Sequence, residues 1–158
     1  MARLLYTLVL WFLLIPWAML HLLRRARRQP EYLRHWNERF GLYSGRRPKG
    51  PLIWIHAVSV GETRAAQPLV AALRNRYPGH RILFTHMTPT GRQTSSDLFG
   101  DGVERIYLPY DCPFAVGRFL SRFRPAAGLV METEIWPNLV AACRARAIPL
   151  LLVNARLS

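Results

Sequence analysis

Leu52-Ile53-Trp54-Ile55-His56, running on into Ala57-Val58-Ser59-Val60-Gly61-Glu62, decides the fold. The first five residues carry no formal charge and are rich in β-branched and aromatic side chains. A run this short and this apolar reads as a strand buried on both faces. Beyond it the chain turns more polar: Gly61 permits a close turn, and Glu62 falls at or near the start of a helix, where the N-terminal field stabilises a carboxylate. Outward from there the pattern repeats. Strand-like runs recur at 81–85, 105–108, 127–131 and 150–153, with helical stretches at 62–76, 91–99, 113–123 and 135–147 between them. Strand and helix in strict alternation imply right-handed crossovers and a mainly parallel, Rossmann-like α/β sheet.

In such sheets ligands gather at the carboxyl ends of the strands. Four loops therefore draw attention, at 56–62, 86–91, 110–113 and 132–138. In the first, Glu62 is either a helix cap or a general base able to take a proton from an incoming hydroxyl. The loop has neither the GxGxxG of a dinucleotide fold nor the GxxxxGK[ST] of a P-loop. The second loop, His86-Met87-Thr88-Pro89-Thr90-Gly91, offers hydroxyls to an anion or sugar, with an ordinary N-cap at Thr90 as the plainer reading. Read alone, His86 is structural. The fourth, Met131-Glu132-Thr133-Glu134-Ile135-Trp136-Pro137-Asn138, ends a buried strand in two carboxylates, which an intervening turn would separate. A metal site there would need more oxygen ligands than the segment has. A glycosidase-like carboxylate pair is the hydrolytic alternative.

The flanks add a membrane. Leu4 to Leu23 form an uncharged run of about 20 residues, about 30 Å as a helix, which matches a bilayer core. It is apolar all round, which favours spanning, although Pro16 leaves a tilted, re-entrant or monotopic helix open. Arg24-Arg25-Ala26-Arg27-Arg28 comes directly after it, against a lone Arg3 before it, and this asymmetry places the rest of the chain in the cytoplasm. The long apolar run and its trailing basic cluster argue against a cleaved signal. Residues 1–28 thus read as anchor and basic flank, 29–50 as a helical linker, and 51–158 as the α/β domain. Over the whole chain, 22 basic residues stand against 9 acidic, a net of +13, and Lys49 is the only lysine. Arginine forks suit phosphate and carboxylate, so an anionic partner is expected. The cysteines, Cys112 and Cys143, show neither a disulfide framework nor zinc spacing, and Cys143 reads as a small core residue.

Taken in order and spacing, several segments together carry a resemblance. They are the anchor with its flank, Arg39-Phe40-Gly41, His56-Ala57-Val58-Ser59-Val60-Gly61-Glu62, Met87-Thr88-Pro89-Thr90-Gly91, Tyr107-Leu108-Pro109-Tyr110-Asp111, Met131-Glu132-Thr133-Glu134-Ile135-Trp136-Pro137-Asn138 and Asn154-Ala155-Arg156-Leu157-Ser158. With them the chain resembles bacterial Kdo (3-deoxy-D-manno-octulosonic acid) transferases along essentially its whole length. The resemblance implies the N-terminal, acceptor-binding domain of a two-domain GT-B glycosyltransferase. It implies inverting, metal-independent transfer of Kdo from CMP-Kdo to a lipid A precursor, lipid IVA, in lipopolysaccharide biosynthesis, with no cofactor. Glu62 would be the general base and Glu132 a second carboxylate supporting the transition state. Ser59, Gly61, Thr88, Thr90, Glu134, Asn154 and Arg156 would line the cleft. Arg24, Arg25, Arg27, Arg28, Arg46 and Arg47 would hold lipid phosphates at an anionic inner-membrane surface.

Residues 154–158 look like a strand-end loop whose helix is missing, so a fragment of a longer protein is expected, inactive without the donor half. Two rivals stay open. One is another membrane-associated GT-B enzyme acting on a lipid-linked sugar. The other is a non-enzymatic, membrane-tethered anion binder; nucleic acid is disfavoured because the aromatics lie in the anchor and strands.

Overall fold

A computed structural model describes residues 2–44, 49–132 and 136–154. Its centre is a five-stranded, all-parallel sheet in the order β3-β2-β1-β4-β5, formed by β1 (Leu52–His56), β2 (Arg81–His86), β3 (Glu104–Tyr107), β4 (Ala127–Met131) and β5 (Leu150–Val153). The chain builds outward from β1 to β3, then returns to the other side of β1. The register aligns His56 with Thr85 on one side and with Val130 on the other.

Alternate residues of β1 feed two cores. Leu52 and Trp54 pack with Val116, Phe119 and Leu120 of α6 (Pro113–Phe123) and with Leu139 and Cys143 of α7 (Pro137–Arg144). Ile53, Ile55 and Ala57 pack on the opposite face with Ala66, Val70 of α4 (Gln67–Arg76) and Phe84. A strand that buries both faces has no place for a polar alternation, and all five residues of β1 are buried. Cys143 is a core residue, as its sequence context implied.

The expected helix over 62–76 is two helices. α3 (Val60–Ala65) stops and α4 starts again at Gln67, because Pro68 at the new N-terminus lacks the N–H needed to continue the old ladder. α5 (Pro89–Phe99) and α7 also begin on a proline. The described residues of the 29–50 segment form two 3₁₀ turns, Pro30–Leu33 and Trp36–Phe40, and the second is firmly docked. Glu38 accepts from Arg92 Nη1 at 2.7 Å and from the Tyr107 N–H at 2.8 Å, while Arg39 Nη2 donates to the Met87 carbonyl at 3.0 Å. Arg39 and Arg92 lie over the buried Tyr107 ring, 4.2 and 5.1 Å from its centroid. Burial depresses the Arg39 guanidinium pKa, and the neighbouring tyrosines and Glu38 oppose that shift.

The N-terminal helix comprises α1 (Ala2–Val9), a π-helical turn (Leu10–Leu14) and α2 (Ile15–Ala26). By length and hydropathy it passes the test for a membrane span. It is not free all round, however: Leu10, Leu22 and Ala26 are buried, and Leu10 packs with Cys112 and Ala115.

Candidate functional site

The sheet order reverses between β1 and β4, so the crevice outside their carboxyl ends is where this topology places a ligand. Glu62 comes after β1 there and Glu132 after β4. The two are held in opposite ways. Ser59 is the N-cap of α3; its Oγ accepts from the Glu62 N–H at 3.3 Å, and Glu62 reaches back to accept from Ser59 N at 3.2 Å and Val58 N at 2.8 Å. This is a reciprocal capping box, and it leaves Glu62 only 6% exposed. Two backbone amides occupy about half of the lone-pair directions of an ionised carboxylate. The box locks the orientation of the carboxylate.

Glu132 is exposed and its backbone is left-handed, at φ +58°. Its N–H still donates to the Val153 carbonyl at 2.9 Å, so β5 holds the strained turn in place. A non-glycine residue pays about 1–2 kcal/mol for this conformation. Asn154, at the end of the neighbouring strand, is also exposed and left-handed, at φ +57°. The β4 and β5 ends thus present two polar side chains on adjacent reversed backbones. Glu134 and Arg156 lie outside the described residues, as do Arg46 and Arg47.

The second loop has a different cap from the expected one. Thr88, not Thr90, is the N-cap of α5: its Oγ1 accepts from Gly91 N at 3.1 Å and donates to the Val58 carbonyl at 3.1 Å. Proline at the first helical position moves the start of the helix two residues earlier. Thr90 is exposed and bonds to the Thr88 hydroxyl at 3.3 Å. The glycine roles also change. Gly61 lies inside the first turn of α3 without a left-handed backbone, and a side chain there would meet only Ser59 Oγ, at 3.8 Å. Close approach is needed at Gly91 instead, where a Cβ would sit 2.9 Å from the Val58 carbonyl. The loops carrying Glu62 and Thr88 are therefore clamped together.

Beneath them lie two buried histidines. His86 Nδ1 donates to the Ala57 carbonyl at 2.8 Å, which leaves Nε2 a bare acceptor without a partner among the described residues. His56 Nδ1 is 2.8 Å from Thr85 Oγ1, which also receives the Trp54 indole N–H at 2.7 Å. Burial lowers their pKa values to about 3 for His86 and about 4 for His56, so both are neutral struts.

The third loop is also occupied by structure. Asp111 accepts from the Asn138 and Leu139 N–H groups, both at 2.8 Å, and so caps α7 from a distance. Burial raises its pKa, and those two amides pull it back.

Sequence reasoning did not single out a basic cleft of about 360 Å³ between the 3₁₀ segment and α5. Thr90, Arg34, Arg92, Arg105 and Tyr107 are among its lining residues; Glu62 is not. The signal was present in the arginines, but they come from separate elements.

Comparison with known proteins decides the family. A family model described as "3-Deoxy-D-manno-octulosonic-acid transferase (kdotransferase)" matches residues 34–158. The chain belongs to this family. Among its relatives is a 3-deoxy-D-manno-octulosonic acid transferase of Bordetella pertussis, 48% identical over 170 residues, covering 100% of this chain and 38% of the relative. One from Haemophilus influenzae is 46% identical over 134 residues, covering 83% of this chain and 31% of that protein. A Rickettsia bellii transferase is 35% identical over 158 residues, covering 100% and 37%. The chain thus spans 31–38% of the length of these Kdo transferases.

Proposed function

We propose that this chain is the acceptor-side domain of a Kdo transferase. In this reading it works with a second α/β domain in a GT-B arrangement and moves Kdo from CMP-Kdo to lipid IVA, in lipopolysaccharide biosynthesis. The observation that carries the reading is the pair of carboxylates, Glu62 and Glu132, on the two strand ends that flank the sheet's switch point in a chain of this family.

The chemistry is set by what such a transfer needs. A sugar hydroxyl is a poor nucleophile near neutral pH, and a positioned carboxylate that takes its proton accelerates attack by about 10²–10⁴-fold. Glu62 serves as that base: the capping box aims the carboxylate, and its remaining lone pairs receive the acceptor hydroxyl. Attack from the face opposite the leaving CMP inverts the anomeric centre. Glu132, projected outward by its reversed backbone, balances positive charge developing at that centre. Ser59, Gly61, Thr88, Thr90 and Asn154 line the sugar path. In this reading the transfer needs no metal, and the second domain grips CMP. Partial closure of the two domains excludes water and favours transfer over hydrolysis. The N-terminal helix and its arginines hold the domain at the cytoplasmic face of the inner membrane, where the acceptor is made.

The test is Kdo transfer from CMP-Kdo to a tetra-acylated lipid A precursor by the full-length protein, wild type against Glu62→Gln. Transfer by wild type and a loss of at least about 100-fold in the variant, with folding and acceptor binding intact, supports the reading. Undiminished transfer removes Glu62 from the role of base. No transfer by folded wild type redirects the search to other membrane glycosyltransferases.

A further inference from the structure

The N-terminal helix touches the domain at the end where a spanning helix would be farthest from it. Tyr6 lies beside the Asp111 carboxylate, and Asn138 Nδ2 donates to Thr7 Oγ1 at 3.1 Å. Trp11 packs on Phe114 with ring centroids 5.2 Å apart, and Leu10 is buried with Cys112 and Ala115. The other end of the helix, at Ala26, is joined to the domain by the docked 3₁₀ segment. About 30 Å of helix separates Tyr6 from Ala26. Both ends are therefore held on one side of the molecule.

The phase of the helix supports this placement. Its side chains turned from solvent include Tyr6, Leu10, Ile15, Met19, Leu22 and Ala26. Ordinary α-helical steps separate them except between Leu10 and Ile15, where the π-helical turn adds one residue and the Ile15 N–H donates to the Leu10 carbonyl. Pro16 has no N–H to give the Phe12 carbonyl, so the α ladder cannot run through this point unbroken. The extra residue keeps the inward stripe continuous along the whole helix.

The opposite face is apolar and meets no other element of the domain among the described residues. Leu4, Leu5, Phe12, Leu13 and Trp17 are 64–73% exposed, and no acidic residue interrupts the helix. Exposed Arg24, Arg25, Arg27 and Arg28 stand at its end. An apolar ridge ending in a basic cluster complements an anionic lipid surface.

We infer that the helix lies flat in one leaflet of an anionic bilayer, docked along the domain through Tyr6–Asp111 and Thr7–Asn138, and does not cross the membrane. Asp111 and Asn138 come after β3 and β4, so this posture lays the carboxyl edge of the sheet, and the candidate site with it, beside the headgroups. A spanning helix would force a choice: break these contacts or draw Asp111, which caps α7, through hydrocarbon. The inference rests on the membrane attachment proposed above and changes its geometry.

The test uses the full-length protein in its membrane, with Ala2→Cys and, as a reference in the domain, Asp101→Cys. Each is treated with a membrane-impermeant maleimide in intact spheroplasts and in inverted inner-membrane vesicles, against the unsubstituted protein. Cys112 and Cys143 are buried and add little background. The expected result is that both positions label about ten-fold more, or better, in inverted vesicles, because neither crosses the bilayer. Labelling of Ala2→Cys in spheroplasts, with Asp101→Cys still restricted to inverted vesicles, overturns the flat posture and leaves the anchor. Recovery of the protein only in the soluble fraction overturns the attachment itself, and the posture with it.

Discussion

The ends of β1 and β4 lie side by side at the switch point of the sheet and solve opposite problems. After β1, Glu62 is buried and drawn into the backbone of its own helix start; after β4, Glu132 is exposed on a backbone that its side chain disfavours. The first carboxylate is part of the structure, locked by its capping box. The second makes no side-chain hydrogen bond among the described residues, and its backbone has an energetic cost. The contrast teaches that a buried carboxylate can be aimed by satisfying part of its hydrogen-bonding capacity, whereas an exposed one on a reversed backbone is held by its neighbours against strain.

The contrast breaks first at Glu62. Glu62→Gln is expected to lower transfer about 10²–10⁴-fold, while loss of the capping interaction costs only about 1 kcal/mol in denaturant unfolding. A loss of rate no larger than the loss of folded protein would make Glu62 a cap alone. Acid comes next. His56 and His86 have folded pKa values below the unfolded value of 6.5, so the unfolded chain binds more protons and stability falls as pH falls. That stability is complete above pH 6.5 and is lost as pH drops toward about 4 for His56 and about 3 for His86. From pH 7 to 5 each contributes a loss of about 2 kcal/mol. Trp54 fluorescence should report the change, since its indole shares Thr85 with His56. If amide exchange shows the β4 end loosening before the β1 end, the histidines are not the struts described.

A smaller effect is expected at Gly91→Ala. Its new Cβ would press on the Val58 carbonyl and destabilise the protein by about 1–3 kcal/mol, raising KM through the displaced loop. Glu132→Gly should be the smallest change in stability and of opposite sign. Relief of the left-handed backbone is expected to gain about 0.5–1 kcal/mol by thermal or denaturant unfolding, while transfer falls. A stability loss there would show that the side chain supports the fold after all.

Much of this is legible in the order of the residues. The strands are readable because apolar runs of four or five residues have few other uses, and three of them match residue for residue, at Leu52–His56, Ala127–Met131 and Leu150–Val153. Glu62 is readable as either cap or base. The misreadings are local. A threonine before glycine looks like a cap until proline moves the helix start to Thr88, and Gly61 looks like a turn until Gly91 shows where backbone contact lies. The Glu38–Arg92 pair and the basic cleft cannot be seen in the sequence, because the members of each are drawn from distant segments and nothing in the intervening residues records the meeting.

By itself the sequence determined the alternation of strand and helix, the apolar N-terminal run with its basic flank, and the carboxylates at the strand ends. Periodicity, charge and capping chemistry are local properties, and a chain displays them in order. Only the tertiary structure decided the strand order that brings β4 back beside β1, the strain at Glu132 and the stripe that seats the N-terminal helix on Asp111 and Asn138. Those depend on which surfaces bury one another, a choice made among distant residues after the local elements have formed.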